Sequence, residues 1–446
     1  MTDPADLGVL DAAHGLRDRR LSSRELVSAC LARIADRDGE HTFDGDAVSI
    51  NAWVRVYEED ALAAADRADE RLAAGDAPLL CGVPVGLKDL YGVAEESLTA
   101  SSRVLKSFPR RSCDVWGRLE AAGMVLLGHT HTHEFAAGGT TDQVGNPWAL
   151  ERSAGGSSGG SAAALASRTT PAATGTDTAG SLRIPSAYCG TATIKPTRGL
   201  VPMKGIVPLA PSLDHAGPMA RDLADCVPLL AVMAEVEPPA KTPPLRRVAL
   251  SPRFGELDPD VADGLDAAMD GIDALLVTPE PPGVSLDLGP AFLDLLCSEM
   301  LAYHRRFRGR RELYRPSTRG FLAHGERCGM TADDQLDVQL ARAELTATWI
   351  DWLGEHRIDA LVEPTVPIVA RPRGHGYDVA FTDTAEVSLT HYWDWTGFPV
   401  VALPAGTGRR SGLPVGVSLI GPPGSDWRLL AAGAELQRRL PMPAPE

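Results

Sequence analysis

Residues 155–186, which read GGSSGGSAAALASRTTPAATGTDTAGSLRIPS, constrain this 446-residue chain more than any other stretch. They contain two clusters dense in glycine and hydroxyl residues, 155–160 and 175–181, with an alanine-rich segment between them. A flexible linker would repeat glycine and serine without interruption, whereas the second cluster carries Asp177 and continues directly into Leu-Arg-Ile-Pro. We therefore interpret both clusters as ordered loops, and the first as one that opens a helix with exposed N-terminal amides.

Glycine-rich loops ahead of a helix serve either as phosphate cradles or as catalytic loops. A phosphate loop ends in Gly-Lys-Ser or Gly-Lys-Thr, and residues 155–186 contain no lysine, which argues against nucleotide binding. A nucleophilic loop needs a serine, a base, and free backbone N–H groups that can stabilise an oxyanion. Ser181 provides the serine and residues 178–180 can provide N–H groups, so the stretch favours a nucleophile.

The same stretch resembles the signature of the amidase signature family of serine hydrolases, and the match runs from Gly155 to Ser186 without a gap. In that family the catalytic set is a serine, a second serine held by a cis peptide bond, and a lysine. By this resemblance Ser181 is the nucleophile and Ser157 is the cis serine. The resemblance assigns the oxyanion hole to the amides of Thr178, Ala179, Gly180 and Ser181. Many members have glycine at the position of Ala179, but alanine keeps the backbone N–H.

The resemblance also covers residues 82–89, GVPVGLKD, which match the segment that carries the family's catalytic lysine. The apolar residues predict a short buried strand that ends at Lys88. A charged side chain is awkward at the end of such a strand unless it has partners. We therefore expect Lys88 to be the catalytic base and not a solvated surface charge.

Further residues complete the predicted site. Three are expected to support the catalytic groups: Ser158, Asp177 and Arg183. Five are expected to line the substrate pocket: Gly138, Gly139, Thr140, Trp393 and Trp395. The two tryptophans lie in a segment dense in rings, and the alternative is that they pack in the core. Asp394, between them, replaces an asparagine that is common in the family, which leaves its inherited role open.

Two histidine patterns suggest other chemistries. His129, His131 and His133 alternate, so on an extended segment they would share one face and could bind a metal. They fall on variable positions of a family pattern, and we expect no metal there. His215, next to Asp214, suggests a Ser-His-Asp triad, but the lysine is the better partner for the serine by the family pattern.

Composition limits the partners. The formal net charge of −16 argues against nucleic acid, which would need a basic face. The seven cysteines form no Cys-x-x-Cys pair, which suits reduced thiols and no structural zinc. The sequence has no leader pattern and no window of the ~18 apolar residues that a membrane span needs. We expect a cytoplasmic, bacterial protein that acts on a small molecule without metal, cofactor or membrane contact. A homodimer is left open.

Alternating helix and strand patterns, together with the resemblance, predict an α/β fold. We expect one domain over residues 1–446, an α/β/α sandwich around a large mixed sheet with a helical cap. Its parts would be a signature core at about 80–222, a variable cap-forming region at about 246–345, and a C-terminal sheet and helix at 355–440. The arginine-rich run at 303–319 is expected to be a solvated helix face, with recognition of an anionic partner as the alternative.

The resemblance implies hydrolysis of a C–N acyl bond of a small apolar or aromatic amide through a Ser181 acyl-enzyme, with a proton relay through Ser157 and Lys88. Carbamates, including urethanes, and esters are also within the family's range. One alternative is the ammonia-producing glutaminase subunit of a tRNA-dependent amidotransferase. A second alternative is an amidase-like scaffold without catalysis, which the presence of all three catalytic residues disfavours.

Overall fold

A computed structural model describes residues 3–374, 385–440 and 445 of the chain. Its centre is an 11-stranded sheet with the order β1-β3-β2-β6-β8-β7-β12-β13-β11-β9-β10, and β4 and β5 form a separate hairpin. Of the neighbouring pairs in the large sheet, β2–β3, β2–β6, β9–β11 and β9–β10 are parallel and the others are antiparallel. The predicted mixed sheet is therefore confirmed.

The strands are β1 (Trp53–Val56), β2 (Pro84–Lys88), β3 (Val125–Thr130), β4 (Gly145–Asn146), β5 (Ala149–Ser153), β6 (Ala172–Asp177), β7 (Ala192–Lys195), β8 (His215–Ala220), β9 (Arg247–Leu250), β10 (Leu275–Val277), β11 (Ala360–Pro364), β12 (Val400–Thr407) and β13 (Pro414–Ile420). The helices are α1 (Val9–Arg17), α2 (Ser23–Arg37), α3 (Glu58–Ala74), α4 (Asp114–Ala121), α5 (Gly159–Ala166), α6 (Arg183–Cys189), α7 (Leu223–Ala234), α8 (Pro259–Gly271), α9 (Pro290–His304), α10 (Pro316–Cys328), α11 (Ala332–Glu355), α12 (His391–Thr396) and α13 (Asp426–Arg439). Short 3₁₀ helices cover Pro4–Asp6, Glu134–Ala136, Arg305–Leu313 and Ala385–Val387.

The central strands are buried along their whole length, because helices cover both faces of the sheet. Every residue of β2, β6, β8 and β13 is buried. Helices α5 and α6 pack against one face, and α7 and α13 pack against the other. Helix α5 carries only glycine, serine, alanine and leucine, so it can lie close against β2 and β6 with all of its residues buried. This layering confirms the predicted α/β/α fold and places both glycine-rich clusters in the interior.

Part of the predicted cap-forming region, residues 246–345, belongs to the main sheet and its helix layer in the structure. Strands β9 and β10 belong to the main sheet, because β9 pairs with β11 and its central residues Val248 and Ala249 are fully buried. Helix α8 packs against β11, β12 and β13. The helices α9, α10 and α11, residues 290–355, remain as the candidate cap.

The arginine-rich run includes the 3₁₀ helix Arg305–Leu313, which has no buried residue, in keeping with a solvated face. Within the described ranges, no helix combines the length and apolar character that crossing a membrane requires.

Candidate active site

The site begins where two neighbouring strands end. Strands β2 and β6 are parallel neighbours, so their carboxyl ends meet at one edge of the sheet. Lys88 is the last residue of β2, and Asp177 is the last residue of β6. The glycine-rich turn before α5 brings Ser157 and Ser158 to the same edge, and the peptide bond between Gly156 and Ser157 is cis.

Lys88 is fully buried and makes three hydrogen bonds with hydroxyl groups. Its Nζ lies 2.8 Å from Ser157 Oγ, from Ser158 Oγ and from Thr176 Oγ1. Burial lowers the pKa of Lys88 well below its usual value, although the carboxylates of Asp177 and Asp214 oppose this shift. When this amine is neutral it has two N–H donors and one lone pair, so one of the three hydroxyls must then donate to it. In that form the lysine can accept a proton.

Of the two serines that contact Lys88, Ser157 is the better suited to donate to it. Ser158 Oγ already lies 3.3 Å from the carbonyl of Thr176, to which its own proton can be donated. The Ser158 backbone N–H donates to the carbonyl of Ser181 at 3.2 Å, which joins the two serine loops. Ser181 is 5% exposed and lines a cavity, so of the three serines it is the one that a ligand in this cavity would meet.

Asp177 organises the backbone around Ser181. Its carboxylate accepts hydrogen bonds from the N–H of Gly180 at 2.5 Å and from the N–H of Leu182 at 3.2 Å. The N–H of Gly180 therefore points at Asp177 and is engaged in this structure. Of the four amides in the predicted oxyanion hole, those of Thr178, Ala179 and Ser181 are the better candidates.

Arg183 holds this loop against α12. Its guanidinium pairs with Asp177 at 2.8 Å and with Asp394 at 2.6 Å, and it donates to the carbonyl of Thr390 at 3.0 Å. Burial lowers the pKa of Arg183, but the two carboxylates outweigh it and raise the pKa above its ordinary value. Thr390 Oγ1 in turn donates to the carbonyl of Ala179 at 2.5 Å. The segment before α12 is therefore tied directly to the loop that precedes Ser181.

We expect Asp394→Ala to lower kcat by about tenfold with little change in KM, because Arg183 would lose one of its carboxylates and the loop before Ser181 would be held less firmly. Asp394→Asn keeps an oxygen that accepts from Arg183, so it should retain most of the activity. Steady-state kinetics of both variants, with urea midpoints as a control for stability, check this. If Asp394→Ala and the unaltered protein had equal kcat, the contact between Arg183 and Asp394 would have no role in holding the loop before Ser181.

The structure does not form the Ser-His-Asp triad. His215 Nδ1 lies 3.3 Å from the carbonyl of Asp177 and 3.4 Å from Asp394 Oδ1, and burial lowers its pKa well below the usual value. Asp214 instead accepts from Thr178 Oγ1 at 2.6 Å. His215 and Asp214 therefore both contact the segment that leads to Ser181.

The three alternating histidines do not converge on a metal position. Nδ1 of His129 lies 2.7 Å from the Tyr57 hydroxyl, and Nδ1 of His131 lies 3.1 Å from Ser101 Oγ. His133 alone reaches the cavity, where its Nδ1 lies 2.8 Å from the carbonyl of Thr140. Burial lowers the pKa of His131 and of His133 to about 3, so both rings are neutral.

The cavity next to Ser181 has a volume of about 590 Å³. The predicted pocket residues Gly138, Gly139 and Thr140 line it, together with Ala179. The candidate cap and the segment before it contribute six apolar residues to the wall: Leu286, Pro290, Phe292, Leu293, Leu296 and Phe321. The charged residues Arg253, Asp287, Arg371 and Glu386 line the cavity as well.

Trp393 and Trp395 do not line this cavity, which corrects the prediction for the pocket. Residues 391–396 form the short helix α12. Trp393 is fully buried, stacks on Phe398, and donates from its Nε1 to Glu363 at 2.6 Å. Trp395 packs behind Phe292, with ring centroids 6.1 Å apart. Of this helix it is His391 that faces the cavity.

Fold and site together define an α/β/α protein in which a buried lysine and two serine loops meet beside a cavity. A model of the family named Amidase matches residues 25–264 and 294–430, so the chain belongs to the amidase family. The predicted membership is confirmed, and the chain is an amidase-family hydrolase.

Known proteins cover the chain nearly end to end. A glutamyl-tRNA(Gln) amidotransferase subunit from Anaeromyxobacter dehalogenans (strain 2CP-C) is 32% identical over 493 residues, covering 98% of this chain and 97% of the relative. A solved amidase structure matches with a TM-score of 0.85 and 29% identity over 98% of this chain and 100% of its own. The native peptide amidase from Stenotrophomonas maltophilia matches with a TM-score of 0.80 and 26% identity over 99% of each chain.

Several site residues carry no recognisable signal in the sequence. Thr176, which binds Lys88, looks like any other threonine of a buried strand. Thr390 and Asp394 reach Arg183 from more than two hundred residues away in the chain. The only signal for Asp394 is that it replaces the asparagine common in the family.

Proposed function

We propose that this protein hydrolyses the C–N acyl bond of a small amide with an apolar or aromatic acyl or amine group, through an acyl-enzyme on Ser181. The observation that carries the proposal is the buried Lys88 beside a cavity lined by Ser181. Its Nζ is hydrogen-bonded to Ser157 Oγ at 2.8 Å. A buried neutral lysine that contacts a hydroxyl is arranged to accept a proton. Metal and cofactor have no role in the proposed steps.

In acylation, Ser181 Oγ attacks the carbonyl carbon while its proton passes to Ser157, whose own proton passes to Lys88. The amides of residues 178, 179 and 181 stabilise the oxyanion, each by on the order of 3 kcal/mol. When the tetrahedral intermediate collapses, the C–N bond breaks. The proton returns from Lys88 through Ser157 to the leaving nitrogen, and the free amine departs.

In deacylation, water takes the place of the amine. Its proton passes along the same path to Lys88 as its oxygen attacks the ester carbonyl of the acyl-enzyme. The intermediate then releases the carboxylic acid, and Ser181 recovers its proton through Ser157. The carboxyl product ionises in water, so the products are one carboxylate and one amine.

The cavity wall supports the proposed substrate class. Phe292, Leu293 and Leu296 lie on α9 and present apolar surface to the cavity that contains Ser181. A volume of about 590 Å³ suits a substrate of modest size. Because the catalytic groups act on any acyl carbonyl, carbamates and esters are within the proposed range.

We expect Phe292→Ala to lower kcat/KM for an aryl anilide by about tenfold or more, but to change it little for acetamide. The reason is that Phe292 lines the cavity, where a ring of the anilide would lose apolar contact area. Trp393→Ala is the matched control, because it removes a larger ring from the core outside the cavity. It should lower the melting temperature and affect both substrates equally. Greater loss of anilide selectivity in Trp393→Ala than in Phe292→Ala would overturn this assignment.

A second candidate is the release of ammonia from glutamine within an amidotransferase, as the name of the curated relative suggests. One observation favours it: the cavity also contains Arg371 and Glu386, which pair at 3.3 Å. A positive and a negative group near each other could bind the carboxylate and the ammonium of an amino acid. The apolar wall favours the first proposal.

A turnover screen separates the candidates. It would compare aryl amides, aliphatic amides, carbamates, p-nitrophenyl esters and glutamine, with labelling by a serine-directed fluorophosphonate as a test for any hydrolase. We expect labelling, and the fastest turnover among aryl amides. Release of ammonia from glutamine alone would establish the second candidate. Absence of both labelling and turnover would establish a scaffold.

A further inference from the structure

A cluster of three potential metal ligands lies on the cap helices α9 and α10. Asp294 is on α9, and His324 and Cys328 are on α10. One ligating atom from each residue lies within 4.8 Å of the others, and His324 Nε2 lies 2.6 Å from Asp294 Oδ1. The cluster has no part in the proposed hydrolysis.

We propose that Asp294, His324 and Cys328 form a binding site for a divalent cation of the zinc type that joins α9 to α10. A carboxylate oxygen, an imidazole nitrogen and a thiolate sulfur are the donor types that zinc prefers. With three protein ligands, one water molecule would complete a tetrahedral shell. Among the described residues, this is the only group of at least three such side chains close enough to share an ion.

The helix geometry brings the ligands together before any ion binds. His324 and Cys328 are four residues apart, so they lie on one face of α10. Gly325 lets α9 approach closely, because a Cβ at this position would lie 2.4 Å from the carbonyl oxygen of Cys297. This contact holds Asp294 opposite the pair on α10. The third ligand is therefore placed by helix packing.

The distances are near those of an occupied site. Zinc–ligand bonds of about 2.0 Å to nitrogen and 2.3 Å to sulfur place neighbouring ligand atoms about 3.5 Å apart. Separations between 2.6 and 4.8 Å would therefore change by little more than 1 Å on binding.

Charge and access also favour a divalent cation. Asp294 and a Cys328 thiolate provide two negative charges, and binding would release the thiol proton to solvent. Cys328 is the last residue of α10, and the carbonyl end of a helix favours cations. The Asp294 and His324 side chains are 29% and 23% exposed, and of the seven cysteines Cys328 is the one that is not buried. An ion can therefore reach the site from solvent.

The test uses Co²⁺ as a probe on the full-length protein, because thiolate coordination gives a sulfur-to-cobalt charge-transfer band. We expect one equivalent of Co²⁺ to produce this band, and Zn²⁺ to displace it. Cys328→Ser should lose the band, and His324→Gln should weaken Co²⁺ binding by more than about tenfold. His14→Gln, an exposed histidine far along the chain, is the control and should bind as the unaltered protein does.

A second measurement uses only the unaltered protein, so it does not depend on whether the variants fold. Zn²⁺ should slow the alkylation of Cys328 by a maleimide in the unaltered protein, and mass spectrometry would identify the protected cysteine. A charge-transfer band that persists in Cys328→Ser, or an unchanged alkylation rate with excess Zn²⁺, would overturn the proposal. Fluorophosphonate labelling of Ser181 is read in parallel, so failure of the metal site and failure of the proposed hydrolase are distinguishable.

Discussion

Ser181→Ala is expected to abolish both turnover and covalent labelling, with a loss of about a million-fold in kcat. The substitution removes one oxygen, the atom that would attack the carbonyl and carry the acyl group. It leaves the backbone amides of the loop in place, so the protein should still fold and bind its substrate. Long-incubation assays for residual turnover and gel-based detection of the fluorophosphonate adduct measure the two effects.

Ser186→Ala provides the matched control for this experiment. Ser186 lies on α6, five residues beyond Ser181, and its buried hydroxyl has no hydrogen-bond partner among the described residues. Its loss should leave labelling intact. Normal labelling of Ser181→Ala would remove Ser181 from the mechanism, and loss of labelling in both variants would show that the assay reports stability instead.

Lys88→Ala is expected to lower kcat on amides by about 10²–10⁴-fold, and by less on esters of the same acyl group. An amine must be protonated as it leaves, whereas an alkoxide needs this less, so a proton relay matters most for C–N cleavage. Matched anilide and ester substrates measure the difference. Equal losses on the two substrates would indicate that Lys88 is purely structural.

The pH dependence tests the same assignment. Burial lowers the pKa of Lys88, and only its neutral form can accept a proton from Ser157. In the unaltered protein, kcat/KM should therefore rise with pH as Lys88 loses its proton, and level off well below the ordinary pKa of lysine. Lys195→Ala is the control, because Lys195 is equally buried but its Nζ donates to the carbonyl of Pro196 at 3.3 Å. The rise of kcat/KM with pH should persist in that variant.

The fold and the central site could be predicted because their determinants are local in the sequence. The segment that ends in Lys88 and the loop that leads to Ser181 are both short and punctuated by glycine. The first segment ends buried strand β2, and the second follows buried strand β6. The parallel pairing of β2 with β6 brings the ends of the two strands together. Motif and strand pattern therefore indicate the same edge of the sheet.

The pocket wall could not be predicted, since it depends on which side of a helix faces inward. The sequence shows only that Trp393 and Trp395 are two aromatic residues close to a strand. In the structure they lie on α12, where Trp393 stacks on Phe398 and His391 lines the cavity. The hydrogen bond from Arg183 to the carbonyl of Thr390 joins residues that are 207 positions apart in the chain. Such contacts depend on tertiary packing, which neither periodicity nor spacing records.

The cluster of Asp294, His324 and Cys328 could not be predicted for a related reason. Searching for cysteine pairs at short spacing detects sites built within one loop, and this chain has none. Here one ligand comes from α9 and two come from α10. Only the packing of the two helices, set by Gly325, makes them neighbours.

The candidate cap has a consequence for how this enzyme could acquire new substrates. Helices α9, α10 and α11 form one uninterrupted segment between β10 and β11, and α9 and α10 provide much of the apolar cavity wall. The lysine and the serines lie more than a hundred residues earlier, on the sheet and its loops. Substitutions in α9 and α10 can therefore alter part of the wall that a substrate meets, while the lysine and the serines stay unchanged. Exchange of residues 290–328 between relatives would change that part alone, because residues 138–140 and His391 line the cavity from other segments.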